Sequence, residues 1–429
     1  RKDLVRAVRR GHGKLSGRDR VRARRLEGPT DLFLNCLHHN DKIDDHYRFS
    51  HDRVQEAAYK MIDIRDQGRS HFSYGMALAP LADEEDDFLF TAVTQLNLAR
   101  PEAVEDERQY AIVAKHNLRA GKKAMEMSDF EAAYSYFDHG ITFLRKKHWE
   151  EHYELSLELF NLATKCALAN GDPVSLNLLS QQVIRKAQSF EDTLNVMYCI
   201  TCSLSYSLKL PESIEKGLDI LSQLGIELRG RDSSVEVCVR ETKDLLSSYT
   251  YDDLLSARRM TDSTMIMAMK FLSKLMVGMG QIMPKSAPHV AQQIIQLSLS
   301  HGMSPESPLG FAHFGSYAAK LGDIRGGFNY VKLARSLLDK LGSRENVGEV
   351  ICIHTQVALF VEPLQATLGY HDEGYAAAMA AGDINQAALN MFAVYTSSPF
   401  AGVKLETTRE KGDEVIKFMR ERKIGIFLM

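Results

Sequence analysis

The sequence lacks the features that mark several classes of protein. It has only six cysteines in 429 residues, at positions 36, 166, 199, 202, 238 and 352. Because they are scattered through helical-looking segments, we expect no disulfide framework and a reducing compartment. The chain also lacks a strong charge of either sign, with a net charge of −3, 45% hydrophobic and 25% charged residues. This composition predicts an ordinary globular chain with two or more domains or one extended solenoid.

The sequence also lacks an uninterrupted apolar run. The most apolar stretch, residues 264–283, contains Lys270, Lys274 and Gln281, which are costly in hydrocarbon. We therefore predict a soluble helix here and no transmembrane segment. The basic N-terminus has no apolar core behind it, so no signal peptide is expected. Since the chain starts at Arg1 without a methionine, we expect it to be a piece of a longer protein.

No catalytic motif is recognisable in the sequence. A nucleophile elbow, a kinase glycine-rich loop and the kinase His-Arg-Asp and Asp-Phe-Gly motifs are all missing. The run from Gly11 to Ser16 superficially resembles a phosphate loop. It has one residue between its first glycine and Gly-Lys, where the phosphate loop needs four. We therefore expect neither catalysis nor a bound cofactor in this chain.

Cys199 and Cys202 form a C-x-x-C pair, which can hold a metal or act in redox chemistry. The surrounding residues predict a buried helix, and a second pair of ligands is missing. We interpret these cysteines as structural.

A block of basic residues occupies the N-terminus. Residues 1–28 contain eleven lysines and arginines without large aromatic side chains. We predict that residues 1–29 form a poorly ordered, solvated segment. The alternative is a basic arm for nucleic acid or acidic membrane, since neutralising phosphates requires only clustered cations.

Beyond residue 105 a turn recurs between amphipathic helices. In each copy a small residue precedes an aspartate, and a second helix begins at once. Glycine can adopt the left-handed conformation that ends a helix, and aspartate accepts the free amides of the next helix. The copies lie at Ser128-Asp129, Gly171-Asp172, Gly322-Asp323 and Gly382-Asp383, with a variant at Leu210-Pro211.

The spacing of these turns predicts the fold class. The turns at 129, 172 and 211 are about forty residues apart, slightly more than the tetratricopeptide (TPR) length, and the later spacings are irregular. Apolar stripes such as Leu155, Leu159 and Leu162 follow helical periodicity between the turns. The alternation of apolar and polar residues that is typical of β-strands is not sustained over several strands. We predict an all-α, TPR-like helical-repeat solenoid, or α-α superhelix, preceded by a small winged-helix-like unit.

A methionine stripe is the most conspicuous feature of one predicted helix. Steps of four, seven and three residues place Met265, Met269, Met276 and Met279 on one face. We interpret the stripe as a seam between two solenoid helices. The alternative is an adaptable groove for a partner helix or peptide, because methionine is flexible and polarizable.

The most specific motif is the run from Tyr47 to Tyr59, Tyr-Arg-Phe-Ser-His-Asp-Arg-Val-Gln-Glu-Ala-Ala-Tyr. Apolar residues first alternate with polar ones and then recur at helical spacing. This pattern predicts a short strand leading into an amphipathic helix, as in the wing and next helix of a winged-helix module. The run resembles the segment that follows the nucleotide-binding domain in multidomain AAA/STAND-type signalling ATPases, which include hybrid serine/threonine and histidine kinases. The resemblance implies family-motif or interdomain contacts for six residues: Phe49, His51, Asp52, Arg53, Gln55 and Tyr59.

The resemblance continues in collinear order over about residues 30–400. The stretches 90–97, 117–124, 133–140 and 299–307 are similar to parts of that family's repeat region. We therefore assign residues 30–66 to the winged-helix-like unit and residues 67–420 to the solenoid. The basic block departs from the family pattern, which has apolar helices there.

His38, His39, His46 and His51 lie among aspartates and suggest a metal-dependent phosphohydrolase as another interpretation. Such a centre needs further ligands on later helices, and none is recognisable beyond Asp52. We expect no metal site.

The resemblance implies a non-catalytic regulatory and interaction solenoid in a cytoplasmic signal-transduction protein. ATP and Mg²⁺ would be bound only in an upstream domain, and a protein kinase or sensor would follow the repeats. Partners would be proteins or other domains of the same parent chain, with nucleic acid unlikely to bind. The alternative is a free-standing helical-repeat adaptor with a basic arm.

Overall fold

The computed structural model describes most of the chain. The described segments are 15–16, 46–47, 56–57, 59–81, 86–228, 233–343, 346–422 and 424. Two strands of two residues each, β1 (Leu15–Ser16) and β2 (His46–Tyr47), pair in antiparallel orientation. The other regular elements of the described segments are helical. This composition confirms the prediction of an all-α fold.

The described residues contain nineteen α-helices. The first six are α1 (Ile64–Leu78), α2 (Asp86–Ala99), α3 (Glu107–Glu126), α4 (Phe130–Leu144), α5 (His148–Glu151) and α6 (Tyr153–Ala169). The next seven are α7 (Pro173–Lys186), α8 (Phe190–Tyr206), α9 (Leu210–Gln223), α10 (Val235–Leu246), α11 (Tyr251–Ser256), α12 (Ser263–Ile282) and α13 (Ala287–His301). The last six are α14 (Ser307–Lys320), α15 (Ile324–Leu341), α16 (Val347–Ala358), α17 (Leu364–Ala381), α18 (Ile384–Ser397) and α19 (Leu405–Glu421). A short 3-10 turn, Pro101–Ala103, precedes α3.

The chain divides into two compact units. The first comprises Arg1–Lys123 and Ser135–Leu159, and the second comprises Ala124–Tyr134 and Phe160–Met429. The predicted boundaries of a basic segment at 1–29, a winged-helix-like unit at 30–66 and a solenoid at 67–420 remain predictions. Most of the first two segments lies outside the described residues.

In the first unit, α1 and α2 pack closely through small residues. A Cβ atom at Gly75 would lie 2.6 Å from the Leu96 side chain, and one at Gly68 would lie 2.9 Å from the Ala99 carbonyl oxygen. Asn97 and Asn117 then connect α2 to α3 through two reciprocal side-chain hydrogen bonds of 2.9 Å. Polar pairs of this kind keep buried amides satisfied where helices touch.

The recurring turns have the predicted geometry. Ser128, Gly171, Gly322 and Gly382 all have positive φ angles, between 63° and 100°. The amide of each following aspartate donates to the carbonyl oxygen five residues earlier, over 2.9 to 3.0 Å; the acceptors are Ala124, Ala167, Ala318 and Ala378. This is the 6→1 bond of a Schellman motif, which satisfies carbonyls at a helix end.

The aspartate of each turn caps the next helix. Asp172 accepts from the amides of Val174 and Ser175, and Pro173 occupies the first helical position. Asp323 and Asp383 accept from the amides two residues inside α15 and α18, Gly326 and Gln386. The capping prediction from the sequence is therefore confirmed, and each cap fixes where a helix begins.

Replacing Asp172 by alanine is expected to lower the free energy of unfolding by about 1 kcal/mol, because two amides of α7 lose their acceptor. Asp172→Asn is the matched control, since asparagine caps as well as aspartate. Urea denaturation of both variants measures the difference. Equal destabilisation by the two substitutions would contradict a capping role.

In the second unit, helices next to each other in the chain pack against each other. Contacts run from α7 through α8 to α9, and then from α12 in order to α19. Helix α9 packs directly on α12, so α10 and α11 are inserted between two neighbours of the stack. Helix α10 lies against α13 and α14, and α11 lies against α15. This insertion explains the irregular spacing of turns after residue 211.

Helix α12 is the one described helix that is long and apolar enough to cross a membrane, with a mean hydropathy of 1.2. Its side chains Phe271, Leu272 and Leu275 are buried in a core cluster that extends from α8 to α16. Half of its most apolar window is buried inside the protein. Burial of this kind is typical of the core helix of a soluble domain, which supports the interpretation from the sequence.

Candidate functional site

The second unit contains a cavity of about 750 Å³. Small-molecule sites in proteins typically have volumes of this order. Five chain segments line it: Glu131, residues 167–173 with Leu176, Ser203 with Tyr206 and Ser207, Gly382 with Ile384 and Asn385, and Glu421 with Arg422 and Ile424. The lining is mostly polar or glycine and therefore suits a ligand that forms hydrogen bonds.

Helix ends position this lining. The turns before α7 and α18, the last residues of α8 and α19 and the first turn of α4 meet at the cavity. The Ser128 hydroxyl donates to the Ala380 carbonyl oxygen over 3.1 Å, and Asn170 Nδ2 donates to the Phe130 carbonyl oxygen over 3.1 Å. A Cβ atom at Gly382 would lie 2.6 Å from the Phe130 ring. Contacts between residues far apart in sequence thus involve two of the lining residues, Asn170 and Gly382.

Tyr206, the last residue of α8, lines the cavity and contacts a half-buried lysine. Lys274 Nζ of α12 lies 3.5 Å from the Tyr206 hydroxyl and 5.0 Å from the centre of its ring. Both side chains keep intermediate exposure although protein surrounds them. Water can therefore reach both side chains.

A carboxylate lies near this pair. Asp383, the cap of α18, interacts electrostatically with Lys274, but the two residues form no ion pair within 4.0 Å. The equivalent turn before α15 differs, because Lys243 Nζ there contacts the Asp323 carboxylate directly at 2.6 Å. Lys274 and its nearby aspartate are therefore held apart.

The surroundings shift the pKa values of these groups. Burial alone would lower the pKa of the Lys274 ammonium, but Tyr206, Cys202 and Asp383 hold it well above its ordinary value. Burial raises the pKa of the Tyr206 hydroxyl. It also raises the pKa of the Asp383 carboxyl, despite the opposing Lys274 charge and the Gln386 amide. At neutral pH the site therefore contains a cationic lysine and a protonated tyrosine, both hydrogen-bond donors.

Most of the predicted family-motif residues lie outside the described residues. This applies to Phe49, His51, Asp52, Arg53 and Gln55. Their predicted interdomain contacts remain predictions.

Of the six residues assigned to family-motif or interdomain contacts, Tyr59 is the one that is described. Its hydroxyl lies 2.7 Å from His71 Nε2 of α1, and His71 Nδ1 lies 2.7 Å from Gln95 Oε1 of α2. The Gln67 side chain also donates to the Tyr59 carbonyl oxygen over 2.9 Å. Within the first unit, Tyr59 thus connects the motif to the first helix pair.

The methionine stripe lies in the core of the second unit. Met269, Met276 and Met279 are at most 1% exposed, and Met265 packs against the same cluster. These positions support the interpretation as a seam between helices. A partner could contact the three buried methionines only if the helices separated.

The cysteine pair is buried in α8. Cys199 and Cys202 are buried free thiols, as are Cys166, Cys238 and Cys352. Burial raises the pKa of Cys199 to about 12 and also raises that of Cys202. Because the thiolate is the reactive form, these side chains are chemically inert in the folded protein.

Among the described residues, no group of three or more His, Cys, Asp or Glu side chains could hold a metal ion. His51 and Asp52, which the hydrolase alternative requires, are not among the described residues.

The sequence does not predict the cavity or the position of Lys274 beside Tyr206. One feature of the sequence does set Lys274 apart: it interrupts the apolar run of α12, which also argues against a membrane span. Tyr206 and Asp383 are 68 residues before and 109 residues after it in the sequence. Their proximity depends on the packing of α8, α12 and α18, which periodicity alone does not predict.

Comparison with known proteins gives weak similarities. No family model matches the chain. The chain is 21% identical over 208 residues to hybrid signal transduction histidine kinase G of Dictyostelium discoideum, a match that covers 42% of this chain and 6% of that kinase. The chain thus spans a small part of the length of this relative.

Two solved structures were also compared. One is a STAND protein with a tetratricopeptide repeat sensor from Pyrococcus horikoshii, with 11% identity and a TM-score of 0.34, covering 91% of this chain and 61% of that one. The other is a circular tandem repeat protein, with 14% identity and a TM-score of 0.17, covering 87% and 92% of the two chains. At these scores the superpositions do not establish a shared fold.

Proposed function

We propose that this chain is the non-catalytic regulatory and interaction region of an ATP-dependent signal-transduction protein. The observation that carries the proposal is the helical-repeat architecture of the second unit, with its recurring Schellman turns and capping aspartates. The motif from Tyr47 to Tyr59 and the weak similarity to a signal-transduction histidine kinase point in the same direction.

Helical repeats suit this role for a physical reason. Each repeat contacts mainly its neighbours, so the stack offers long surfaces for other proteins or domains. Binding at one surface would favour one packing arrangement of the stack. A neighbouring domain that contacts the stack would then respond to the same change.

The proposal extends to the parent protein. A nucleotide-binding domain with a phosphate loop would precede this chain, and a kinase or sensor domain would follow it, in a cytoplasmic protein. The winged-helix-like unit at 30–66 would connect the nucleotide-binding domain to the repeats. Phe49, His51, Asp52, Arg53, Gln55 and Tyr59 would contribute to that connection.

The test has two parts. The parent transcript is sequenced on both sides, and an upstream G-x-x-x-x-G-K-[ST] motif after a predicted strand is expected. Binding of a fluorescent ATP analogue with Mg²⁺ is then measured by anisotropy, and this chain alone is expected to show none. A parent transcript without a nucleotide-binding domain would overturn the proposal, and ATP binding by this chain would contradict its non-catalytic role.

The N-terminal basic block favours a second candidate function, a free-standing adaptor with an arm for nucleic acid or acidic membrane. This candidate predicts binding to duplex DNA or anionic vesicles that weakens steeply with salt, because counterions are released on binding. Deletion of residues 1–25 would abolish that binding. Absence of any binding at low salt would exclude this candidate.

A further inference from the structure

Two neighbouring turns of the second unit expose large apolar side chains. One turn follows α16 and the other follows α18. The Gln365 side chain of α17 donates to the Ala401 carbonyl oxygen over 3.3 Å, so the two turns lie side by side. Five large apolar residues on or next to these turns are exposed, by the following fractions: Leu359 45%, Phe360 65%, Val361 47%, Phe400 82% and Leu405 76%. We call these five residues the apolar patch.

Hydrogen bonds fix the backbone of both turns. After α16, the Glu362 amide donates to the Ala358 carbonyl oxygen over 2.7 Å. After α18, the Val403 amide donates to the Ser398 carbonyl oxygen over 3.0 Å. The Tyr370 hydroxyl donates to the Glu362 carboxylate over 3.2 Å, so this half-buried carboxylate already has a partner within the chain. An ordered backbone therefore holds the apolar side chains at the surface.

The turn at the opposite ends of α17 and α18 differs from these two. It consists of Gly382 and Asp383, and neither exposes a large apolar side chain. The turn between α13 and α14, residues 302–306, also has no exposed large apolar residue. The turns of this helical stack thus form without exposed apolar residues, and the folding of the chain does not explain the apolar patch.

The exposed area is of the size that a dimer interface requires. Because aromatic side chains bury about 150 to 250 Å² each, the five side chains together expose roughly 500 Å² of apolar surface. Single exposed apolar residues are ordinary, whereas a contiguous patch of this size is often functional. A standard interface covers about 800 Å² on each partner, and about 65% of it is apolar in homodimers. The apolar patch is therefore large enough to form the centre of a dimer interface.

The charges around Leu405 favour an identical partner. Lys404 and Glu406 flank it and are both exposed, and the next turn of α19 repeats this mixture with Arg409 and Glu410. A membrane of anionic lipids would repel the two glutamates, and a partner with one sign of charge would meet repulsion from half of the four residues. In a two-fold dimer, Lys404 of each copy can instead face Glu406 of the other, because contacts across such an axis are reciprocal.

We propose that this surface joins two copies of the chain in an isologous dimer. Phe400 and Leu405 of one copy pack against the apolar patch of the other, and Lys404 pairs with Glu406 at the rim. Apolar and aromatic anchors at the centre of an interface supply most of the binding energy, whereas rim charges mainly fix the register. The inference goes beyond the proposed function and does not depend on it, since it concerns the surface of this chain alone.

The dimer is tested by sedimentation velocity with the whole chain. Interfaces of standard size have dissociation constants that are micromolar or tighter, so concentrations from about 1 to 100 µM are used. The average mass is expected to rise from one chain to two chains and to stop there, because an isologous contact closes on itself. A mass that stays at one chain, or that continues to rise past two chains, would overturn the proposal.

Phe400→Ser combined with Leu405→Ser removes the two most exposed side chains of the apolar patch. This double variant is expected to weaken the association at least tenfold, with little effect on folding because both side chains are exposed in the single chain. Val174→Ser combined with Leu178→Ser in α7 is the matched control, since these residues are 67% and 61% exposed and lie outside the apolar patch. The control should associate like the unmodified chain. Equal association by the patch variant would contradict the proposal.

Lys404→Glu and Glu406→Lys test the reciprocal pairing, and they keep the proposal testable if the serine variant does not fold. Each substitution alone places like charges opposite each other across the two-fold axis and is expected to weaken the association. In an equal mixture of the two variants opposite charges meet, so the mixture is expected to associate more tightly than either variant alone.

Two further results would overturn the proposal. One is a mixture of Lys404→Glu and Glu406→Lys that associates no more tightly than the single variants. The other is a chain that stays monomeric and binds vesicles of anionic lipid through Phe400, which would assign the apolar patch to a membrane. Failure of the proposed function would instead be seen in the parent transcript, which none of these measurements concerns.

Discussion

Replacing Gly327 by alanine is expected to lower the free energy of unfolding by about 1 to 3 kcal/mol, the usual cost of overpacking a core. A Cβ atom there would lie 2.4 Å from the Gly315 carbonyl oxygen, and one at Gly315 would lie 2.6 Å from the Gly327 carbonyl oxygen. Helices α14 and α15 therefore approach backbone to backbone. No flexible side chain can move aside, so the helices themselves must separate.

The control is Gly369→Ala in α17, where a new Cβ atom would meet nothing within 4 Å. Alanine is the better helix former, so this variant is expected to gain up to about 1 kcal/mol. Both variants are measured by urea denaturation, together with Gly315→Ala and the double variant. Because both glycines serve one contact, the double variant should cost less than the sum of the single variants. If Gly327→Ala left the free energy of unfolding unchanged, the close approach of α14 and α15 would not be needed for stability.

A loss of roughly 3 kcal/mol of stability between pH 6.5 and pH 4 is expected from His354 alone. Burial, followed by the charges of Arg335 and Lys332, lowers the pKa of His354 from 6.5 to about 4. The rings of Phe328 and Tyr370 flank it at 5.9 and 5.2 Å, and its Nδ1 atom has no partner.

The direction of this change in stability with pH depends on which state binds the proton. Between pH 6.5 and 4 the unfolded chain protonates this histidine while the folded chain does not. The contribution is therefore complete above pH 6.5 and is lost as the pH falls toward 4. Titrations with urea across this range are expected to show a shallower acid dependence in His354→Leu than in the unmodified protein.

His301, an exposed histidine at the end of α13, provides the matched control. His301→Leu therefore controls for the exchange of a histidine for a leucine itself, at a position outside the core. If His354→Leu and the unmodified protein lose stability in parallel below pH 6.5, His354 does not titrate as described.

The helix pairs could be predicted from the sequence because their signals are local. Glycine at a helix end, aspartate after it and apolar residues at helical spacing are contained within a few residues of each other. Asp172 and Asp323 could thus be identified as caps without any knowledge of packing. The periodicity of one helix likewise places Met269, Met276 and Met279 on one face, and all three are buried.

The candidate site could not be predicted, because it is assembled from distant segments. Tyr206 and Lys274 belong to two different helices and Asp383 precedes a third, and nothing near any of them in sequence indicates that they lie close together. The insertion of α10 and α11 was likewise visible only as irregular spacing. Helix α9 packs on α12 and not on α10, and this choice depends on tertiary packing.

The hydrogen bond from Ser128 to Ala380 connects residues 252 positions apart. In a simple linear array of repeats, the terminal repeats can fray independently, because each has only one neighbour. Here the turn between α17 and α18 is anchored to the start of α4, so opening that turn also disrupts the beginning of the second unit. The late helices α17 and α18 should therefore unfold together with much earlier parts of that unit, as one cooperative element rather than as a loose end.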